Sequence, residues 1–192
     1  MIQFERIKVK NFLSYGNAWS EIDLNLGKAL VVAENGAGKC VDPESTYIDV
    51  AHWDINTRAL SEYESIKIGD IVEFYQSPFL FGFLYVKTRF GPRKILAASV
   101  TAKNSPVVVV KTNVAEVRCS PDHRFFDGHA FIHAKNLSSG TNLLGEHGMQ
   151  IVQSVDFTDE IKDLVDIQVE EVEEYYSNGL VSHNSSIMTD SI

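Results

Sequence analysis

Ala33-Glu34-Asn35-Gly36-Ala37-Gly38-Lys39-Cys40-Val41-Asp42-Pro43 decides how the chain divides. Ala29-Leu30-Val31-Val32, just upstream, is a short and fully apolar run, the mark of a buried strand. A buried strand that meets a Gly-rich turn ending in Lys is the entry to a phosphate-binding loop, whose backbone N–H groups cradle phosphate oxygens. Such a loop continues with Ser or Thr and then opens a helix. Here Cys40 follows Lys39, Pro43 begins no helical pattern, and Ala33 stands where the first loop glycine is usual. The missing hydroxyl appears near the other end, in His183-Asn184-Ser185-Ser186-Ile187-Met188. Joining Lys39 to Ser185 completes the loop and follows it with a helix-like segment. Residues 40–184 therefore interrupt a loop that regains its hydroxyl residue without them, with Ala33 still in the first glycine position.

The two parts differ in texture. Upstream, Ile2, Phe4, Ile7 and Val9 alternate loosely, and Glu21-Ile22-Asp23-Leu24-Asn25-Leu26 alternates cleanly. Residues 1–39 thus read as the beginning of an α/β unit, and residues 185–192 as the start of a helix. Within 40–184 the apolar period is mostly two: Tyr47-Ile48-Asp49-Val50, Ile71-Val72-Glu73-Phe74, then 79–90, 95–100, 107–110, 114–119 and 165–169. Gly69-Asp70, Gly91-Pro92, Asn104-Ser105-Pro106, Asp127-Gly128, Ser138-Ser139-Gly140 and Asn178-Gly179 punctuate these runs as turn signals. Many short strands at this spacing predict an all-β domain. Residues 156–174 hold nine acids against one Lys, which predicts a solvated acidic face.

Composition narrows the function classes. The 192 residues carry a net charge of −9, with 44% hydrophobic and 22% charged residues, the balance of a globular chain. An acidic balance argues against a dedicated nucleic-acid binder, because phosphate neutralisation needs a basic face. No apolar run reaches the ~18–20 residues of a membrane span, and the start lacks the pattern of a signal peptide, so the expected compartment is the cytosol. Cys40 and Cys119 are the only cysteines. In a reducing compartment they are expected as reactive or buried thiols rather than a disulfide, and without a Cys-x-x-Cys pair they suggest no zinc site.

The excised piece starts with Cys40 and ends with His183-Asn184, and Ser185 follows it. This conjunction resembles an intein, a self-splicing element. Cys40-Val41-Asp42-Pro43-Glu44-Ser45 is similar to the family's opening motif. Val117-Arg118-Cys119-Ser120-Pro121-Asp122-His123-Arg124-Phe125 resembles the second motif, Thr-x-x-His, with Ser120 in place of Thr. Phe131-Ile132-His133-Ala134-Lys135-Asn136-Leu137 resembles the stretch that follows. Val165-Asp166-Ile167-Gln168-Val169-Glu170 and 175–184 resemble the two C-terminal motifs. Many members carry a His ten positions before the penultimate His, and Glu173 stands there. The stretch between His123 and Asp166 is too short for a homing-endonuclease domain, so the resemblance is to a mini-intein. The flanks resemble the start of the ATPase subunit of phage and bacterial recombination nucleases, through Lys8-Val9-Lys10-Asn11-Phe12-Leu13-Ser14-Tyr15-Gly16 and the interrupted loop.

The resemblance implies a horseshoe-like β architecture, the Hint fold of hedgehog and intein domains, with residues 1–39 and 185–192 as host fragments. It implies that the Cys40 thiol attacks the Lys39 carbonyl, that His123 protonates the leaving nitrogen and that Ser120 hydrogen-bonds developing charge. Asp122 is a candidate to orient His123. Asp166 is the candidate base for Ser185, His183 polarises the carbonyl of Asn184, and the Asn184 side chain cyclises. The reaction is expected to be single-turnover and to need no cofactor or metal. The expected substrate is the domain's own flanks, and the expected state is a monomer without nucleic acid or membrane. ATP and magnesium are expected only on the spliced host, a DNA-processing protein, at Asn35, Gly36, Gly38, Lys39 and Ser185. Two other readings stand beside this one. The order Cys40, His123, Asn184 is that of a thiol protease, and the flanks alone are a nucleotide-binding ATPase fragment. Cys119 reads as core, and His52, His129, His133 and His147 as structural histidines.

Overall fold

A computed structural model describes residues 6–9, 20–23, 39–77 and 83–184. Upstream, β1 (Arg6–Val9) and β2 (Ser20–Asp23) pair antiparallel as a two-stranded sheet. The expected strand at 29–32, the loop at Asn35, Gly36 and Gly38, and everything from Ser185 onward lie outside the described residues.

Among the described residues the remainder is all-β with one helix and a short 3-10 turn. Its elements are β3 (Tyr47–Asp54), β4 (Ala59–Leu60), β5 (Glu64–Lys67), α1 (Ile68–Gln76), β6 (Leu84–Thr88), β7 (Gly91–Thr112) and β8 (Glu116–Cys119). They continue with β9 (Arg124–Phe126), β10 (Phe131–His133), β11 (Asn142–Gly145), β12 (Gly148–Val169), β13 (Glu174–Ser177) and β14 (Leu180–His183). Among the described residues β3 to β14 link into one sheet along the path β10-β9-β14-β11-β12-β7-β6-β3-β4, with β13 on β14, β5 on β3 and β8 on β7.

The spine is the antiparallel pair β7 and β12, each 22 residues long. Its register breaks at several places, one of them between Phe157 and Ile161. Bulges of this kind bend a long strand, so that a sheet can curl around a core. Such a break corrects one expectation. Asn104-Ser105-Pro106 is no chain reversal but an irregularity inside β7, where Asn104 takes a φ of 48° and its N–H donates to the Asp163 carboxylate at 2.8 Å. Pro106 is tolerated there because the ladder is already disturbed.

Ile71-Val72-Glu73-Phe74 is a second correction, since it belongs to α1 rather than to a strand. Ile68, Ile71, Val72 and Tyr75 recur at helical spacing, and the first three are buried. Gly69-Asp70 is accordingly the first helical turn and not a loop. A Cβ on Gly69 would lie 2.9 Å from the carbonyl oxygen of Pro43, so the missing side chain lets the helix press on the segment after Cys40. Asn178-Gly179, in contrast, closes the β13–β14 hairpin with φ values of 47° and 80°, the left-handed pair that a type I′ turn requires.

The acidic stretch behaves as its charge predicts. Asp156, Asp159, Glu160, Asp163, Glu171 and Glu173 are exposed. Asp166 and Glu174 are the buried exceptions. Arg89 reaches Glu174 with two of its guanidinium nitrogens, one at 2.8 Å.

Fully buried Phe125, Ile48, Ile68, Ile71, Ile95, Leu143, Ile167 and Leu180 form the main core. The chain enters it at once. Val41 bridges Cys119 on one side and Val165 on the other, exchanging N–H···O bonds of 2.9 and 3.0 Å with Val165. Cys40 is thereby drawn into the interior between β8 and β12.

Candidate functional site

The Lys39–Cys40 bond is held from several directions. Asp42 anchors the chain just beyond it, with its carboxylate 3.1 Å from Lys162 Nζ and 3.3 Å from Arg118 Nε. Burial pushes the Asp42 carboxyl up, but the Glu44 N–H, Lys162 and the Ser45 hydroxyl outweigh it and hold it below the usual carboxylate range. Cys40 itself is fully buried. Its N–H donates to Ser120 Oγ at 3.2 Å, and its carbonyl accepts the Ser120 N–H at 2.9 Å. Thr101, on β7, donates its hydroxyl to Cys40 Sγ at 2.9 Å.

His123 stands beside the same bond. It follows β8 by a tight turn in which its N–H reaches back to the Ser120 carbonyl at 3.0 Å. The ring is wholly buried, edge-on to Phe125 with 4.9 Å between centroids. Among the described residues neither ring nitrogen has a hydrogen-bond partner of good geometry. Burial pushes its pKa down to about 3, and the backbone of Lys39 is the neighbour that favours the charged ring. At neutral pH His123 is therefore an uncharged imidazole, able to accept a proton before it gives one.

Asp122 does not orient His123, contrary to the expectation. It faces outward, its carboxylate on Lys135 and its carbonyl 2.9 Å from His133 Nδ1. The turn points alternate side chains in opposite directions, one to the core and one to solvent.

His183 and Asn184 lie at the end of β14, a strand packed between β9, β11 and β13. His183 and Asn184 are both buried. Nδ1 of His183 lies 2.6 Å from the Asn184 carbonyl oxygen, and Nε2 lies 3.2 Å from Glu173 Oε2. The N–H of Asn184 donates to the Glu173 carbonyl at 3.1 Å. Burial first and the Lys39 charge next lower the His183 pKa, and the Asn184 carbonyl and Glu173 oppose them without outweighing them, so the ring lies below the usual imidazole range.

Lys39, His123 and His183 share one electrostatic neighbourhood. The Lys39 ammonium feels Arg124, Glu173 and Asp166, and its pKa is lowered by burial first and by Arg124 next. His123 feels both Lys39 and His183. Asp166 is fully buried, and its carboxylate accepts the Ile167 N–H at 2.9 Å. Tyr175 lies within reach of Asp166, Cys40 and Cys119; burial and then the Asp166 charge hold its proton on well above the usual range. Lys39, Cys40, Ser120, His123, Asp166, Glu173, His183 and Asn184 thus belong to one cluster. Ser185 lies outside the described residues.

Thr101 and Tyr175 are the members that sequence reasoning missed. Thr101 meets Cys40 only through pairing between strands distant along the chain, and Tyr175 reads locally as a core aromatic. Cys119 and Cys40 form no disulfide, and burial raises the Cys119 pKa first, with the nearby Cys40 adding to it. Among the described residues no group of three or more His, Cys, Asp or Glu could hold a metal ion. No helix among them is long and apolar enough to cross a membrane.

No protein-family model and no curated protein sequence matches the chain. Solved structures do. The VidaL intein has a TM-score of 0.68 at 20% identity, over 78% of this chain and 99% of that one. The gp41-1 intein has a TM-score of 0.57 at 16% identity, over 77% of this chain and 100% of that one. A DnaB intein from Synechocystis sp. PCC 6803 has a TM-score of 0.53 at 16% identity, over 74% of this chain and 100% of that one. What this chain shares with these inteins, at such low identity, is their all-β Hint fold.

Proposed function

We propose that residues 40–184 excise themselves and join Lys39 to Ser185. The observation that carries this reading is the enclosure of the Lys39–Cys40 bond. Its N–H is bound to Ser120 and an uncharged, buried His123 stands beside it, while His183 and Asn184 lie within the same small volume. Buried titratable groups gathered around both ends of one segment are the arrangement by which sites of chemistry tune their acids and bases.

In the first step Cys40 Sγ attacks the Lys39 carbonyl carbon, and the bond to Cys40 nitrogen breaks. His123 takes the thiol proton and returns it to that nitrogen, so no net proton is needed. Ser120 Oγ, already on the N–H, holds the departing amine in line. In the second step the Ser185 hydroxyl attacks the thioester, Asp166 takes its proton, and the Cys40 thiolate leaves and recovers a proton. In the third step Asn184 Nδ2 attacks its own carbonyl carbon, closing a five-membered ring and breaking the bond to Ser185. The proton shed by Nδ2 goes to the freed Ser185 amine, which then displaces the ester to form the Lys39–Ser185 amide.

The domain acts once, on its own flanks, as a monomer in the cytosol, and needs no cofactor, nucleic acid or membrane. The joined product regains the Gly-rich loop of a recombination-type ATPase, which is where ATP and magnesium belong. The thiol-protease reading is disfavoured by the burial of Cys40, since a nucleophile for foreign peptides must be open to them. The test is Cys40→Ala in the full chain: ligated flanks should vanish while cleavage after Asn184 remains possible. Ligation by that variant would remove Cys40 from the mechanism.

A further inference from the structure

We infer that Glu173 is the positioning residue of the downstream cleavage, fixing the His183 ring against the Asn184 carbonyl and favouring the doubly protonated form that donates to it. This deepens the splicing reading and rests on it. The warrant is geometric. Each nitrogen of His183 faces an oxygen that can only accept: the Asn184 carbonyl at 2.6 Å from Nδ1 and the Glu173 carboxylate at 3.2 Å from Nε2. A neutral imidazole has one N–H and one lone pair. In either tautomer one of these contacts would set a lone pair against an oxygen. The imidazolium alone can donate toward both, and Glu173 favours it against the burial and the Lys39 charge that together hold the ring below its usual value.

Glu173 grips the site twice. Its carboxylate meets the ring, and its backbone carbonyl accepts the Asn184 N–H at 3.1 Å. Ring and scissile carbonyl are thus registered by one residue, which sits at the end of the turn leading into β13. The charged ring then stabilises the oxyanion that forms on Asn184 when Nδ2 attacks, and its own proton is not consumed. The other groups facing the ring do not supply this charge. Lys39 and Arg124 oppose it, as does burial. His123 lies within reach. The Phe131 ring stands edge-on with 4.7 Å between centroids. Glu174, opposite His183 in the β13–β14 register, is committed to Arg89.

The test uses the full chain carrying Cys40→Ala, which isolates cleavage after Asn184, with and without Glu173→Gln. Gln keeps the size and the backbone carbonyl and removes only the charge. Cleavage rates followed by mass spectrometry from about pH 5 to 9 should fall on the alkaline side as His183 loses its proton. In Glu173→Gln that fall should move to lower pH by about half a unit, the size expected of a largely exposed carboxylate. A second readout does not depend on cleavage. In the chain carrying Cys40→Ala and Asn184→Ala, the His183 ring titration followed by NMR should shift downward by the same amount on Glu173→Gln. Unchanged midpoints in both measurements would overturn the role of Glu173. A shifted NMR midpoint with no cleavage after Asn184 at any pH would uphold the ion pair and overturn the splicing reading instead.

Discussion

The Thr101 hydroxyl donates to Cys40 Sγ at 2.9 Å, joining the middle of β7 to the buried Cys40. A hydroxyl aimed at sulfur stabilises the thiolate, the form that attacks a carbonyl. Thr101→Val keeps the shape and removes the donor. Losing one such bond is worth about 1 kcal/mol, so upstream cleavage by added thiol should slow by roughly fivefold to tenfold at neutral pH in a chain carrying Asn184→Ala. Thr101→Ser should keep the rate. Equal rates for the Val variant would show that the contact is only structural.

His123 makes stability depend on acid. Its folded pKa is about 3 against an ordinary 6.5, so below pH 6.5 the unfolded chain binds a proton that the folded chain refuses. Stability contributed above that point is lost as pH falls from about 6.5 toward 3, at up to about 1.4 kcal/mol per pH unit. Denaturant titration of the unreactive Cys40→Ala, Asn184→Ala chain should show this slope, and the added change His123→Gln should flatten it. Parallel slopes would mean that the imidazole is not sequestered.

Cys40, His183 and Asn184 stand out in the sequence through the intein resemblance, and the structure buries all three. Asn178-Gly179 was legible because a type I′ turn is a local device. The helix Ile68–Gln76 was not legible over a short window, since Ile71-Val72-Glu73-Phe74 satisfies a strand pattern as well as a helical one. Asn104-Ser105-Pro106 carries turn residues that a bulged strand uses equally well. Thr101 and Glu173 depend on the fold: what each side chain meets is set by strand register, which local sequence does not encode.

Arg89 and Glu174 offer a test of the scaffold rather than of the chemistry. The Glu174 side chain is only 6% exposed, and Arg89 is its cation. Arg89→Met would strand a buried carboxylate, at a cost of about 3 kcal/mol in unfolding free energy. The paired change Arg89→Met, Glu174→Gln should recover much of it. A single variant as stable as the parent would show that the pair is solvated.

The Asn184→Ala chain should stop with its upstream acyl group on sulfur or on the Ser185 hydroxyl. Added thiol should then release a fragment ending at Lys39, seen by mass spectrometry. Release after any other residue would misplace the upstream junction.

The most direct measurement is intact-mass analysis of the unaltered chain over time. The account predicts two products: residues 40–184 with a C-terminal succinimide, and residues 1–39 joined to 185–192 through Lys39 and Ser185. A chain that stays whole under all conditions, or that breaks at either junction without joining the flanks, would contradict it.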